Sequence, residues 1–308
     1  YDGRESAPAA ARADRFLDSE TGPLSHREAV QNGRSVGVPG VLAALELSHR
    51  RHGRLAWREL FQPAILHAAE GIAMPERLHA LLEWDGALHE VPQAREIYFD
   101  SSGGPKSVGT LLKNPALADT LRRIALGGAR VFYEGEIARD IVKAVASHHR
   151  PGDLSESDLA GYRAIEREPL CGAYRRLRVC GMPPPSSGGV AVLQILGILE
   201  RTRFAQAAPN SAEAVHLFSE AGRLAYADRA RYVADPAFVP QPLAGLLAPG
   251  YLAERAALIG ARSMGVAQPG NPRGALARSD ATPEMSAGTS HISVVDAEGN
   301  AVAMTTRP

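Results

Sequence analysis

Thr289-Ser290-His291-Ile292-Ser293-Val294-Val295-Asp296, running on through Gly299-Asn300-Ala301-Val302 to Thr305, is the stretch that decides the fold. Ile292 and Val294 alternate with polar neighbours, residues 296–300 have the composition of a tight turn, and Val302 and Met304 resume the alternation. This pattern predicts a β-hairpin with Thr289 at the mouth of its first strand. A threonine is a strong nucleophile when it is the first residue of a polypeptide, because the free α-amine can take the proton of its own hydroxyl. Gly288 precedes it and leaves the intervening peptide bond open to attack. Thr289 is internal here, so this chemistry requires a cut between Gly288 and Thr289.

Working outward, residues 260–288 are rich in Gly, Pro, Ser and Ala and show no hydrophobic period, which predicts a loop or mobile linker leading to Thr289. Further upstream, Asn210 is placed to cap a helix with Val215, Phe218, Ala221 and Leu224-Ala225 as its buried face. Pro183 to Gly189 reads as a rigid turn into an apolar helix that ends near Leu199. Leu170, Ala173, Leu177 and Val179 are spaced by polar residues and predict a pair of strands. Cys171 and Cys180 flank the turn of that pair. Two buried or half-buried thiols are expected there, with a disulfide across the hairpin as the alternative.

The first half reads as helices with glycine and proline stops. One runs from Val41 to a stop at Gly53, a second from Trp57 to Glu70, and others over 116–126 and 135–148. Ser155-Glu156-Ser157-Asp158 has the form of a capping box.

A chain of 308 residues, 45% hydrophobic, is long enough for one large core or two ordinary ones. Its formal net charge of zero, with no basic block, gives no sign of electrostatic attraction to nucleic acid or an anionic membrane surface. The most apolar run, Gly188 to Leu199, falls short of the roughly 20 residues a membrane helix needs. His49 with His52, and His148 with His149, lack a third ligand at metal-binding spacing, so neither a metal nor a cofactor is expected.

With its Gly-Thr pair and the hairpin that follows, the chain resembles the γ-glutamyltranspeptidase (glutathione hydrolase) family of N-terminal nucleophile (Ntn) hydrolases. Thr289, Ser290, His291, Ser293, Gly299, Asn300, Val302 and Thr305 match the signature at the start of that family's small subunit. Asp2-Gly3-Arg4-Glu5 with Ala7-Pro8-Ala9 is similar to its substrate-arginine motif. Gly37-Val38-Pro39-Gly40, Phe132-Tyr133-Glu134-Gly135, Met182 through Gly189 and Ala225-Tyr226-Ala227-Asp228-Arg229 fit the large subunit in order. The resemblance covers essentially the whole chain.

It implies an α+β fold. The complete protein would be an Ntn-hydrolase αββα sandwich, with this chain contributing mainly the helical large-subunit part and a few strands. Residues 1–288 would be the large-subunit region, with 260–288 as the linker before the cleavage site, and 289–308 the start of the small subunit. The implied activity is γ-glutamyl transfer or hydrolysis on glutathione and other γ-glutamyl amides, with water, an amine or an amino acid as acceptor. No cofactor takes part, and the cut would yield a heterodimer of large and small subunits. Thr289 is then the nucleophile, its α-amine the base, and Gly288–Thr289 the bond that cleaves itself. Arg4 would bind the α-carboxylate of the glutamyl group, a task suited to a planar guanidinium. His291 would take a supporting or structural part.

Departures accompany the match. The second hydroxyl of the family's Thr-x-Thr falls at Arg307, and the groups that hold the glutamate amine, its carboxylate and the oxyanion are expected beyond Pro308. The resemblance therefore implies an internal piece that is inactive alone. Two alternatives stand beside it: a glutaryl-type (cephalosporin) acylase of the same superfamily, against which Arg4 argues mildly by suiting an α-amino acid, and a silent chain that serves only as a folding or binding partner. Many relatives are periplasmic or secreted, but no segment here fixes the location.

Two motifs have plainer readings. Ser186-Ser187-Gly188-Gly189 offers hydroxyls and a glycine pair, yet its proline-rich entry predicts a structural turn. Glu220, Arg223, Asp228 and Arg229 share one helix at ion-pair spacing and predict solvated or interface pairs.

Overall fold

Asn114 accepts a hydrogen bond from the Leu117 amide, and Pro115 opens the helix Pro115–Gly127 where its missing N–H costs nothing. Local rules of this kind set several helix starts in the computed structural model, which describes residues 1–18, 22–85, 87–276 and 289–306. The chain is α+β: mostly helices, with four two-stranded sheets among the described residues. It divides into two units, Tyr1–Glu166 and Arg167–Pro308.

In the first unit the helix Val41–His52 stops at Gly53, and Glu136–Ala146 follows the predicted 135–148 segment. The segment 57–70 is two helices, Trp57–Leu60 and Gln62–Glu70. Pro63 falls in the first turn of the second, where a residue without an N–H is tolerated and an uninterrupted helix is not. Ser155 and Asp158 form the predicted capping box, each side chain satisfying the other's amide. Val38, Tyr133, Ala138, Val145, Leu154 and Leu159 make one core cluster. Leu159 retains no exposed surface, and burial of such a side chain contributes about 1.5–3 kcal/mol. Met74, Leu82, Phe99 and Leu112 make a second cluster beside the short sheet that pairs Ile72 with Leu112.

In the second unit the hairpin Leu170–Tyr174 and Leu177–Gly181 sets Cys171 opposite Cys180, and the two are joined by a disulfide. The expectation of free thiols is thus corrected: direct cross-strand pairing brings the two Cα atoms to 4.1 Å. The helix Gly188–Leu199 packs on the long helix Ala212–Tyr232, and Ile198, Leu199, Ala221, Leu224, Leu252 and Ala256 form the core between them and Pro249–Ala256. At the start of the first of these, a Cβ on Gly189 would overlap the Met182 carbonyl, so this glycine lets the turn approach the helix. Ser187 adds a fixed contact, accepting from Arg229 Nε at 2.9 Å.

The long helix departs from expectation at several points. Ser211, not Asn210, is the N-cap, accepting from the Ala214 amide. Val215 and Phe218 are more than half exposed. Glu220 and Asp228 are fully buried, so the expectation of solvated or interface pairs is corrected. They share the buried stripe with Ala221, Leu224 and Ala225, and that stripe is rotated away from Phe218. Asp228 accepts from Gln194 Nε2 at 3.0 Å, Tyr251 Oη at 2.7 Å and the Gly270 amide at 2.8 Å, and it faces Arg255 Nη2 at 3.3 Å. Burial and the bond it donates to Asp228 push the Tyr251 hydroxyl well above its ordinary pKa.

Residues 260–276 are held side chain by side chain. His216 meets the Gly260 carbonyl, Glu220 takes the Ser263 hydroxyl and Met264 amide, Arg255 donates to the Gln268 carbonyl, and Tyr232 donates to that of Gly270. Met264 and Ala267 pack on the core, and Ala275 rests beside Tyr251 and Leu246. Of the segment expected to be a mobile linker, this part is fastened, and 277–288 lie outside the described residues.

Candidate active site

The hairpin that carries Thr289 forms as the sequence predicts. Ser290–Val295 pairs antiparallel with Ala301–Thr306, with His291 opposite Thr305 and Val294 opposite Val302. Asp296 closes the turn by accepting from both the amide and the side-chain nitrogen of Asn300, each at 2.7 Å. Those bonds hold its carboxyl below the ordinary carboxylate range. Thr289 lies just before the first strand and is exposed. Gly288 and Arg307 lie outside the described residues, as does any geometry of the bond between Gly288 and Thr289.

His291 points along the hairpin rather than back to Thr289. Its Nδ1 is 2.8 Å from Thr305 Oγ1 and its Nε2 is 3.0 Å from Ser293 Oγ. Residues i and i+2 share a strand face, and the antiparallel register adds the directly opposed partner. Both ring nitrogens are therefore engaged in ordering three residues of the matching signature. Neither nitrogen is directed at Thr289, and the bond to Thr305 ties the two strands together.

Arg4 belongs to the first unit and lies outside regular secondary structure, yet its backbone is fixed on both sides. Its amide donates to Asp2 Oδ1 at 2.9 Å, and its carbonyl accepts from Tyr162 Oη at 2.7 Å. Asp2 is buried and bridges to Ile165 in both directions, and Ser6 pairs with Val38. The Asp-Gly-Arg-Glu and Gly-Val-Pro-Gly motifs, separated in sequence, thus lie side by side. Gly40 makes the fit: a Cβ there would collide with the Tyr162 hydroxyl and the Gly3 carbonyl. Tyr162 stacks on Tyr133 with ring centroids 5.8 Å apart and planes 7° from parallel. Tyr133 in turn donates to the Pro39 carbonyl at 2.8 Å and accepts from the Ala43 amide at 3.2 Å. The Arg4 guanidinium is exposed, and Glu5 at 4.0 Å is its nearest ionic partner among the described residues.

Burial, together with Tyr133, Asp2 and Glu5 nearby, pushes the Tyr162 hydroxyl up to about 12. The unfolded chain loses this proton near ~10. Between those values the folded state binds more protons than the unfolded state, so stability falls as pH rises through the window. We expect tyrosinate absorbance of the folded protein to lag behind that of the denatured protein from about pH 10, and a Tyr162→Phe variant to lose part of that lag.

The sequence points to Thr289, His291 and Arg4 as candidates and does not point to Tyr162, Glu220 and Asp228 as anchoring groups. For Asp228 a signal was present. It stands four residues after Leu224 and seven after Ala221, in the middle of the apolar stripe, where a carboxylate persists only when paired. Tyr162 has no comparable signal, since its partner Arg4 is remote in sequence.

Comparison with known proteins identifies the family of the chain. The family model for gamma-glutamyltranspeptidase matches residues 1–307. The chain is 35% identical over 309 residues to the glutathione hydrolase proenzyme of Escherichia coli (strain K12), an alignment spanning 99% of this chain and 51% of that protein. It is 34% identical over 309 residues to the acylase ACY 1 proenzyme of Pseudomonas sp. (strain V22), covering 99% of this chain and 53% of the relative. Its fold superposes on the crystal structure of Helicobacter pylori gamma-glutamyltranspeptidase with a TM-score of 0.80 at 30% identity, over 86% of this chain and 75% of that one. The chain thus spans about half the length of the curated relatives it matches. From the family model along its length, the shared fold and the ordered motifs, this chain belongs to the γ-glutamyltranspeptidase family.

Proposed function

We propose that the protein carrying this chain transfers or hydrolyses γ-glutamyl groups through Thr289, after cutting itself between Gly288 and Thr289. The observation that carries the reading is the place of Thr289. It stands exposed at the lead of a hairpin in which three residues of the matching signature, His291, Ser293 and Thr305, are joined by hydrogen bonds. In the cut, Thr289 Oγ attacks the Gly288 carbonyl carbon. The C–N bond gives way to an ester, and water hydrolyses that ester to leave a Gly288 carboxylate and a free Thr289 amine. In turnover the same oxygen attacks the γ-carbonyl of the substrate, while the α-amine takes the hydroxyl proton and passes it to the leaving amine. Water or an acceptor amine then releases the acyl group. An amine with an unperturbed pKa of ~7.7–8.0 is partly neutral near physiological pH and so suits the base role.

In this reading Arg4 pairs with the substrate carboxylate, and the mature protein is a heterodimer of residues up to 288 with the chain that begins at Thr289. A second reading, a glutaryl-type acylase, is favoured by the acylase relative at nearly the same identity. The mild preference for an α-amino acid expected from Arg4 does not hold, because a glutaryl group carries the same distal carboxylate and lacks only the α-amine. Mass measurement on the purified natural protein should find a new N-terminus at Thr289, and an intact chain after long incubation counts against the proposal. Faster release of a chromogenic amine from a γ-glutamyl anilide than from a glutaryl anilide supports the first reading; the reverse order supports the acylase.

A further inference from the structure

We infer that Tyr162 is a positioning residue for substrate binding: its hydroxyl holds the Arg4 backbone so that the guanidinium is presented ready to pair with a carboxylate. The inference rests on the reading of Arg4 given above. What suggests it is the contrast within one residue. The Arg4 amide and carbonyl are both tied down by side chains, Asp2 and Tyr162. Its guanidinium, by contrast, has only Glu5 at 4.0 Å as an ionic partner among the described residues. A structural arginine also spends its guanidinium within the protein, as Arg15 does: it reaches Asp153 at 2.8 and 2.6 Å and the Arg34 carbonyl at 2.6 Å.

Tyr162 is suited to the task because it is itself immobilised. Its ring lies flat on Tyr133, whose hydroxyl is fixed between Pro39 and Ala43, and its own hydroxyl sits where only a glycine at position 40 gives room. A long side chain on a loop ordinarily searches many positions before it meets a ligand. Anchoring its Cα removes the backbone share of that search before binding, which lowers the ordering cost at the moment of association. Phenylalanine would keep the stacked ring and the packing and remove only the hydrogen bond, so the hydroxyl can be tested alone.

The test uses the natural protein and two anilides: γ-glutamyl, and 4-aminobutanoyl, which lacks only the carboxylate. For Tyr162→Phe we expect KM for the γ-glutamyl substrate to rise about fivefold to tenfold, more than kcat falls. The preference for it over the 4-aminobutanoyl substrate, as the ratio of kcat/KM values, should drop by a similar factor. Arg4→Ala should erase that preference by about a hundredfold. If Arg4→Ala erases the preference and Tyr162→Phe keeps it, Tyr162 has no part in presenting the arginine. An equal loss on both substrates in Tyr162→Phe also overturns the inference, because it marks a general packing role. Should Arg4→Ala leave the preference intact, the premise about Arg4 fails, and that result is distinct from the other two.

Discussion

Thr289→Ala should abolish turnover and self-cleavage together, leaving a single uncut chain. Alanine removes the oxygen that forms both esters, and among the described residues no neighbouring hydroxyl is placed to substitute. Ser290 is the first residue of the strand, paired opposite Thr306, and Ser293 Oγ is engaged with His291. Because Thr289 is exposed and outside the strand, the folded state should lose almost nothing: surface changes of this kind usually lie within about 0.5 kcal/mol. The combination of zero activity, an uncut chain and unchanged thermal unfolding is therefore the expected signature. Turnover that survives in the variant, or cleavage that proceeds at the normal position, would remove Thr289 from the mechanism. The conservative Thr289→Ser variant should retain both reactions at reduced rate, since the hydroxyl and the α-amine keep their relation.

The largest effect on stability should come from Asp228→Ala. The carboxylate has no exposed surface and serves four groups: Gln194, Tyr251, the Gly270 amide and Arg255. Arg255 is itself 4% exposed, so removing its counter-charge strands a buried cation. Breaking a buried pair from one side costs about 3–5 kcal/mol, a large part of the roughly 5–15 kcal/mol that holds a typical domain folded. Denaturant unfolding should show the loss as a lower midpoint in Asp228→Ala. A paired replacement, Asp228→Leu with Arg255→Met, should recover much of it, because two apolar side chains leave no charge uncompensated. If the single variant unfolds like the parent, the network is ornamental to stability.

What could be read from the chain depended on how local the determining forces were. The Thr289 hairpin was legible because its alternation, its Asp296–Asn300 turn and its register arise within about twenty neighbouring positions. The capping box at Ser155 and Asp158 was legible for the same reason. The disulfide was not. Its pairing follows from a two-residue turn at Arg175-Arg176, with Arg175 at a positive φ of 52°, and neither residue carries the Asn-Gly signal that normally marks such a turn. Phe218 was assigned to the core on hydrophobicity, although the stripe that faces the neighbouring helix includes Glu220 and Asp228 instead. Tyr162 lies 158 positions from the carbonyl it holds, and periodicity carries no information at that distance. Of the candidate site, then, the sequence shows the residues that would do chemistry and hides those that hold them still.

The fastening of residues 260–270 to the long helix bears on what a chain break would release. A severed polypeptide ordinarily gains freedom at both new ends, and that entropy favours drifting apart. Here the upstream segment should stay seated as far as Ala275 after a cut, since its carbonyls and amides are bound by His216, Glu220, Arg255, Asp228 and Tyr232. A cut after Gly288 would then alter connectivity while leaving this neighbourhood's shape as it was, so the zymogen and its product should share one set of amide-exchange rates across 260–270.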